Sequence, residues 1–159
     1  MDNGRGVNIF LASQCIYANG ERVGTLVYDE DRDTARALDS HHRVLRTPQV
    51  SQALAKVALP KRVSVIYVSA LEIEPAYRRQ GLAGLALKKL SGLYRDPFLY
   101  GIVGTLGRQA PMEKSARRAV YERLGFATVD APLGKRGGGW VTCAFWTPSM
   151  GPLGVFRGI

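Results

Sequence analysis

The stretch L-E-I-E-P-A-Y-R-R-Q-G-L-A-G, residues 71–84, carries the chain from a strand into a helix. The run that leads into it, Val63 to Ile73, is rich in β-branched and aromatic residues, which predicts a central, well-buried strand. The run that follows, Gly81 to Tyr94, places its apolar residues on one helical face. These apolar residues are Leu82, Leu85, Ala86, Leu90 and Leu93.

Small residues open this helix. Gly81, Ala83 and Gly84 leave the first backbone amides unshielded, and amides at a helix N-terminus bind anions with the help of the helix dipole. Arg78 and Arg79 add positive charge at the rim. The opening pattern Arg-x-x-Gly-x-Ala differs from the phosphate loop of nucleotide hydrolases and from the dinucleotide fingerprint. We therefore predict a phosphate-binding site of a different kind.

The first third of the chain is predicted to combine strands and helices. Residues 7–11 and 14–28 favour antiparallel strands, and Asn19-Gly20 suits a tight hairpin turn. Two amphipathic helices follow, one capped by Asp33 and one that begins at Thr47-Pro48 and runs to about Pro60. Their apolar stripes hold Ala35, Leu38 and Leu45 in the first and Val50, Ala53, Leu54, Val57 and Ala58 in the second.

The last third repeats this alternation. Residues 98–103, 126–129 and 140–146 are predicted strands, and residues 112–124 a helix that ends at Gly125. The glycine-rich residues 134–139 are expected to form a loop, and the tail from Pro148 onward to pack poorly.

Length and composition predict one soluble globular domain over residues 1–159. The chain is 46% hydrophobic and 22% charged, and no run approaches the ~20 apolar residues of a membrane span. Residues 1–7 lack the pattern of a secretion signal, so we expect a cytoplasmic location. Cys15 and Cys143 lie far apart without neighbouring ligands, which predicts neither a disulfide framework nor a metal site.

The net charge of +9 favours a polyanionic partner or a phosphate-bearing ligand. The basic residues are scattered in pairs, without a long basic tail or an aromatic recognition motif. Nucleic-acid binding and a merely solvated basic surface therefore stay open as alternatives. The pairs are Lys61-Arg62, Arg78-Arg79, Lys88-Lys89, Arg117-Arg118 and Lys135-Arg136.

Two motifs together resemble a known family. Residues 71–84 look like the coenzyme-A motif of the GNAT superfamily of N-acetyltransferases, Arg/Gln-x-x-Gly-x-Gly/Ala after a strand. Forty residues on, A-V-Y-E-R-L-G-F, residues 119–126, resembles the family's second hallmark, a helix that ends in Tyr-x-x-Leu-Gly-Phe. The resemblance implies an α/β (α+β) fold with a mixed, mostly antiparallel central sheet flanked by helices. Splayed central strands of that sheet would form the acetyl-CoA cleft.

The resemblance also implies an acetyl-CoA-dependent enzyme and names its site residues. The backbone of Leu71 and Ile73 would pair with the thioester and the pantetheine, and Tyr121 would lie near the sulfur. The pyrophosphate would bind at the helix start. The residues expected to bind the coenzyme there are Arg78, Arg79, Gln80, Gly81, Leu82, Ala83 and Gly84.

Acetyl transfer to an amine requires a proton acceptor, because an alkyl ammonium has a pKa of about 10.4. Glu72 and Tyr67 are the two candidate bases, and Tyr121 is the candidate proton donor to the departing thiolate. Each has a structural alternative: Tyr121 and Tyr67 as packed aromatics, Glu72 as a solvated strand residue. The adjacent pair His41-His42 is interpreted as surface, since neighbouring helix residues diverge.

The sequence leaves three functions open. The first is direct transfer of the acetyl group to a primary amine of a small molecule or protein, without a covalent enzyme intermediate. The second is acetylation of a nucleic acid or a charged transfer RNA, which the net charge of +9 and the loop from Lys135 to Gly139 motivate. The third is a non-catalytic coenzyme-binding or interaction module, which an absent base and Lys114 in place of the usual Asn of the second motif would permit. Arg117, in place of the usual Ala, is a further departure from that motif. A homodimer is also left open.

Overall fold

The computed structural model describes residues 7–31, 43–59, 63–103, 111–132 and 140–155 of the 159. For residues 31, 43, 103 and 111–117 it describes the backbone alone. The predicted helix that Asp33 would cap lies mostly outside the described residues, as do His41-His42 and the glycine-rich residues 134–139.

Seven strands of the described part form one mixed sheet in the order β1-β2-β3-β4-β5-β7-β6. β4 runs parallel to β5, and the other neighbouring strands pair antiparallel. The strands are β1 (Ile9–Ala12), β2 (Cys15–Ala18), β3 (Glu21–Asp31), β4 (Ser64–Ile73), β5 (Pro97–Val103), β6 (Ala127–Pro132) and β7 (Trp140–Trp146).

Tight turns join the first three strands. Ser13 and Gln14 both have positive φ between β1 and β2, and Asn19 and Gly20 repeat this between β2 and β3. Positive φ at both central residues is the geometry of the type I′ turn, whose twist matches that of paired strands. The Asn19-Gly20 hairpin is thus confirmed, and Asn19 Oδ1 also accepts a bond of 2.8 Å from the Asn8 amide.

Among the described residues, three helices flank the sheet: α1 (Pro48–Ala55), α2 (Leu82–Gly92) and α3 (Pro111–Leu124). The predicted cap of α1 is confirmed, because Thr47 Oγ1 accepts from the Val50 amide at 3.4 Å and Pro48 occupies the first turn. Gly125, with φ 108°, ends α3 as predicted. In the described part, the helical segment thus follows the meander β1-β2-β3 and precedes β4.

Two clusters of buried residues lie on opposite faces of the sheet. The α2-side cluster joins β1 to β4 with α2 and the end of α3, and includes Ile66, Leu87 and Leu124. The α1-side cluster joins α1 with β5, β6 and β7, and includes Val50 and Phe145. Each face of the sheet is therefore covered by a different helix.

Several predicted boundaries were wrong. Helix α1 ends at Ala55 rather than near Pro60, and residues 43–46 form a 3₁₀ turn instead of continuing a helix. Leu93, predicted to be on the buried stripe, is 53% exposed because α2 ends one residue before it. The described part of the tail, residues 148–155, is not poorly packed: Leu153 is only 4% exposed and belongs to the α2-side cluster. No helix among the described residues is long and apolar enough to cross a membrane.

Candidate active site

A cleft opens in the middle of the sheet, between the two parallel strands. β4 and β5 pair from Ser64 with Pro97 to Tyr67 with Tyr100, while β4 continues along β3 up to Ile73. β4 has a bulge at Ser69: Val27 of β3 pairs with Ala70 and Tyr28 with Val68, so the backbone of Ser69 is left out of the register. The bulge bends β4 at this point. The hydrogen-bonded pairing of β4 with β5 therefore ends at Tyr67 and Tyr100, although Gly101 still lies close to Val68 O, and the two strands part only beyond this contact, as the predicted fold class required.

The bulge also fixes which side chains share a face. Val65 and Tyr67 belong to the α1-side cluster, whereas Leu71 and Ile73 belong to the α2-side cluster. Since side chains alternate along a strand, Glu72 points to the same face as Tyr67. The two candidate bases therefore share one face of β4.

The backbone of Leu71 and Ile73 faces the open side of β4. The Glu74 amide donates to Val23 O of β3 at 2.8 Å, so the polar groups of alternate residues, 71 and 73, point away from β3. The Ile73 carbonyl accepts a bond of 2.9 Å from Arg78 Nε. This orientation suits an extended ligand, although contact with one stays a prediction.

The turn after β4 is held to the start of β3. Pro75–Tyr77 form a single 3₁₀ turn, and Tyr77 Oη donates to Glu21 Oε2 at 2.9 Å. This bond, together with the charge of the Glu21 carboxylate, raises the pKa of Tyr77. Arg22 forms an ion pair with Glu74 and also donates to Thr25 Oγ1 at 3.2 Å. Sequence reasoning missed Glu21 and Arg22, which lie about 50 residues before the turn they hold.

Two left-handed residues shape the loop before α2. Arg79 has φ 65° and Gly81 has φ 76°, and a non-glycine residue in this region is uncommon. At Gly81, which is followed by the right-handed first residue of α2, this geometry turns successive amides toward one point and makes an anion-binding concavity. Gly81 is the N-cap of α2 and, as a glycine, has no side chain to bond the first amides of the helix. The first intrahelical hydrogen bond runs from the Leu85 amide to the Gly81 carbonyl at 3.1 Å.

The amides of residues 82–84 precede that bond and therefore lie at the N-terminal end of the helix dipole. Arg78, Arg79 and Gln80 are exposed beside them. The residues predicted to hold a pyrophosphate thus come together in one loop and one helical turn.

Tyr67 is half-buried at the point where the cleft opens. Its ring lies 5.1 Å from that of Tyr100, centroid to centroid, and Asp29 is its cross-strand partner. Burial raises the pKa of Tyr67, and the negative charge of Asp29 raises it further. Tyr67 therefore stays protonated over a wider pH range than a free tyrosine.

Glu72 lies further along β4 and is largely in solvent. Its side chain is 73% exposed, and one carboxylate oxygen is 3.9 Å from a terminal nitrogen of Arg78. An ion pair this exposed contributes little to stability. The carboxylate is accordingly accessible to water on the face it shares with Tyr67.

Tyr121 lies on the other side of the sheet. Its ring meets Phe126 edge-on at 5.4 Å between centroids, and it packs against the α2-side cluster. The backbone amide of Phe126 donates to the backbone carbonyl of Tyr121 at 3.0 Å, which closes the turn that ends α3. Tyr121 and the candidate bases are therefore not in one group; they lie on opposite faces of the sheet.

The other basic residues named from the sequence lie on exposed helix surfaces or in ion pairs. Lys88 and Lys89 are exposed on α2. Arg118 forms two ion pairs, from Nε to Glu122 Oε2 at 3.6 Å and from Nη1 to Asp130 Oδ2 at 3.1 Å. The Lys114 and Arg117 side chains lie outside the described part. In the ranges that the structure describes, no three His, Cys, Asp or Glu side chains are grouped to hold a metal ion.

Comparison with known proteins identifies the family. The model of the acetyltransferase (GNAT) family matches residues 6–126, about three quarters of the chain. A search of curated protein sequences finds no match. The chain belongs to the GNAT acetyltransferase family. The predicted family and fold class are confirmed.

Two solved structures of an Arabidopsis thaliana protein, NAA60, are similar to the chain. With NAA60 in complex with a bisubstrate analogue, the TM-score is 0.46 at 13% identity, over 80% of this chain and 65% of that one. With NAA60 in complex with acetyl-CoA, the TM-score is 0.46 at 12% identity, over 80% and 66%. The chain thus covers just under two thirds of the length of these proteins.

Proposed function

We propose that the protein transfers the acetyl group of acetyl-CoA to a primary amine, by direct attack within a ternary complex. The observation that carries this proposal is the separation of β4 from β5 beyond Tyr67 and Tyr100. It leaves the backbone of Leu71 and Ile73 directed toward an open cleft, where an extended pantetheine arm can add to the strand. The cleft ends at the left-handed loop and the start of α2.

The loop suits the pyrophosphate of acetyl-CoA. An anion at this loop would meet hydrogen-bond donors, which are the backbone amides of residues 80–84. It would also meet positive charge, from the helix dipole and from the exposed Arg79 side chain. Arg78 already donates to Ile73 O, so in this proposal it holds the loop to β4 and adds charge at the rim.

The reaction needs a proton acceptor on the side of the amine. The nitrogen attacks the thioester carbonyl carbon, a C–N bond forms as the C–S bond breaks, and the proton of the nitrogen must leave. Tyr67 is a poor base because its pKa is raised. We therefore assign the proton to Glu72, reached through water from the cleft, and give the Tyr67 hydroxyl the role of positioning the amine.

The departing sulfur needs a proton or hydrogen bond on the opposite side. Tyr121 packs on the α2 side, whereas Tyr67 packs on the α1 side. The amine would then be held and lose its proton on the α1 side, while the thiolate that leaves the tetrahedral adduct would be protonated on the α2 side, with no covalent enzyme intermediate. Tyr121 would donate its phenolic proton to the sulfur as the C–S bond breaks.

A transfer assay with radiolabelled acetyl-CoA tests the proposal. The acceptors are spermidine, a lysine-containing peptide, a peptide with a free α-amine, and bulk RNA, each with a matched acceptor whose amine is already acetylated. Label in an amine but not in its blocked partner supports N-acetylation. Label in RNA alone, at a rate that falls steeply with salt, would replace the amine by a nucleic acid as the acceptor. Binding of acetyl-CoA without transfer to any acceptor would favour the non-catalytic module.

A further inference from the structure

The segment that follows β7 is fixed at three points. Trp146 Nε1 donates to Gly151 O at 2.9 Å, and the Gly154 amide donates to Leu124 O, at the end of α3, at 2.9 Å. Between them Leu153 is 4% exposed in the α2-side cluster. Because Leu124 O belongs to the last turn of α3, the segment satisfies a carbonyl that has no partner within the helix.

The same segment touches the first turn of α2. A Cβ added to Gly84 would lie 2.6 Å from Gly154 O and 3.1 Å from the Val155 Cα. It would also lie 3.2 Å from Leu124 Cδ2. Gly84 thus meets the segment backbone to backbone, a contact that no larger residue permits. The glycine that the sequence suggested for exposing amides therefore serves close packing.

We propose that residues 152–155, which we call the C-terminal brace, are a positioning element of the coenzyme site. The brace joins the end of α3 to the first turn of α2, whose amides face the pyrophosphate. This inference rests on the proposed function, since it assigns the brace to the acetyl-CoA pyrophosphate and to no other ligand group.

The first turn of α2 depends on such support. Its N-cap, Gly81, makes no side-chain bond to the helix, and the preceding Arg79 holds a left-handed conformation that L-residues rarely adopt. Packing must therefore hold the turn in place, and on the side of Gly84 the brace supplies that packing. Without it, the amides of residues 82–84 lose a fixed direction relative to β4.

Two shortened chains test the proposal. A chain that ends after Gly151 loses the brace, and a chain that ends after Val155 keeps it and serves as the control. Acetyl transfer is measured with acetyl-CoA and with S-acetylpantetheine, which has the same thioester but no pyrophosphate. We expect loss of the brace to raise KM for acetyl-CoA by ~10-fold or more, since misplacement by about 1 Å can cost up to ~100-fold. KM for S-acetylpantetheine should stay within about twofold in both chains, because it does not use those amides. Equal losses for both donors, or none for acetyl-CoA, would overturn the proposal.

A substitution provides a second test if the shortened chain does not fold. Gly154→Ala places a Cβ 3.3 Å from Arg123 O and should shift the brace slightly, whereas Gly92→Ala on α2 meets nothing within 4 Å. Amide hydrogen exchange of residues 82–85 is measured without ligand. We expect exchange to accelerate in Gly154→Ala and not in Gly92→Ala. Unchanged exchange in both would refute the brace. Faster exchange in a protein that never binds acetyl-CoA would refute the proposed function and leave the packing role intact.

Discussion

Replacement of Tyr121 by phenylalanine separates a catalytic hydroxyl from a structural ring. The ring meets Phe126 edge-on at 5.4 Å, and aromatic pairs of this kind contribute about 0.5–1.5 kcal/mol beyond their buried area. Phenylalanine keeps this contact and the place of the ring against the α2-side cluster. The free energy of unfolding should therefore change by less than ~1 kcal/mol.

Loss of the hydroxyl should instead affect the rate. General-acid assistance is typically worth about 10²–10⁴ in rate, so kcat should fall at least about tenfold, or ~1.4 kcal/mol of barrier. KM for acetyl-CoA should change little, because the lost bond strengthens only as charge develops on the sulfur. The assay is steady-state acetyl transfer at saturating acceptor, with urea unfolding of the same preparation.

Two results would refute this reasoning about Tyr121. A kcat within about twofold of wild type would show that the hydroxyl takes no part in the departure of the thiolate. A large drop in the urea midpoint would mark the hydroxyl as a buried structural hydrogen bond instead.

Three further predictions concern stability and reactivity. A Cβ at Gly24 would overlap the Glu72 carbonyl oxygen. Gly24→Ala should therefore lower the free energy of unfolding in urea by about 1–3 kcal/mol. An unchanged free energy of unfolding would contradict the close approach of β3 and β4. Burial raises the pKa of Cys143 to about 12. A thiol reagent at pH 8 should therefore modify only Cys15 in the native protein, and Cys143 only after denaturant is added. Fast labelling of the native Cys15→Ser variant would be inconsistent with a buried Cys143 thiol. The folded-state pKa of Tyr67 is raised above its usual 10.0, so its contribution to stability is complete below pH 10 and is lost as the pH rises through the folded value. The stability of wild type relative to Tyr67→Phe should therefore be constant below pH 10 and decline as the pH rises above 10, and a difference that stays flat or grows there would contradict the raised pKa.

Local chemistry made much of the fold predictable. The Asn19-Gly20 turn, the Thr47-Pro48 helix start and the Gly125 stop each use a residue type that its backbone geometry demands, and each occurs where predicted. The apolar runs located the strands for the same reason. Helix ends were less predictable, because α1 stops at Ala55 although its apolar pattern continues through Ala58.

Contacts between distant residues could not be predicted in this way. The ion pair of Arg22 with Glu74 and the packing of Gly84 on Gly154 join parts of the chain that are 52 and 70 residues apart. A single sequence carries no periodic signal for such pairs. The tail after Pro148 was therefore misjudged: its Gly and Pro residues resemble loop composition, yet its described residues pack on α3 and α2.

The central claim is that acetyl-CoA binds with its pyrophosphate at the start of α2, and thermal melting with and without acetyl-CoA tests it most directly. A ligand bound only by the native state adds ~2.7 kcal/mol at a hundredfold excess over Kd, which for a domain of this size raises Tm by about 5–10 °C. Gly81→Glu, which puts a carboxylate where phosphate would lie, should abolish the shift. An unchanged Tm of the wild type at millimolar acetyl-CoA, or an equal shift in Gly81→Glu, would contradict the claim.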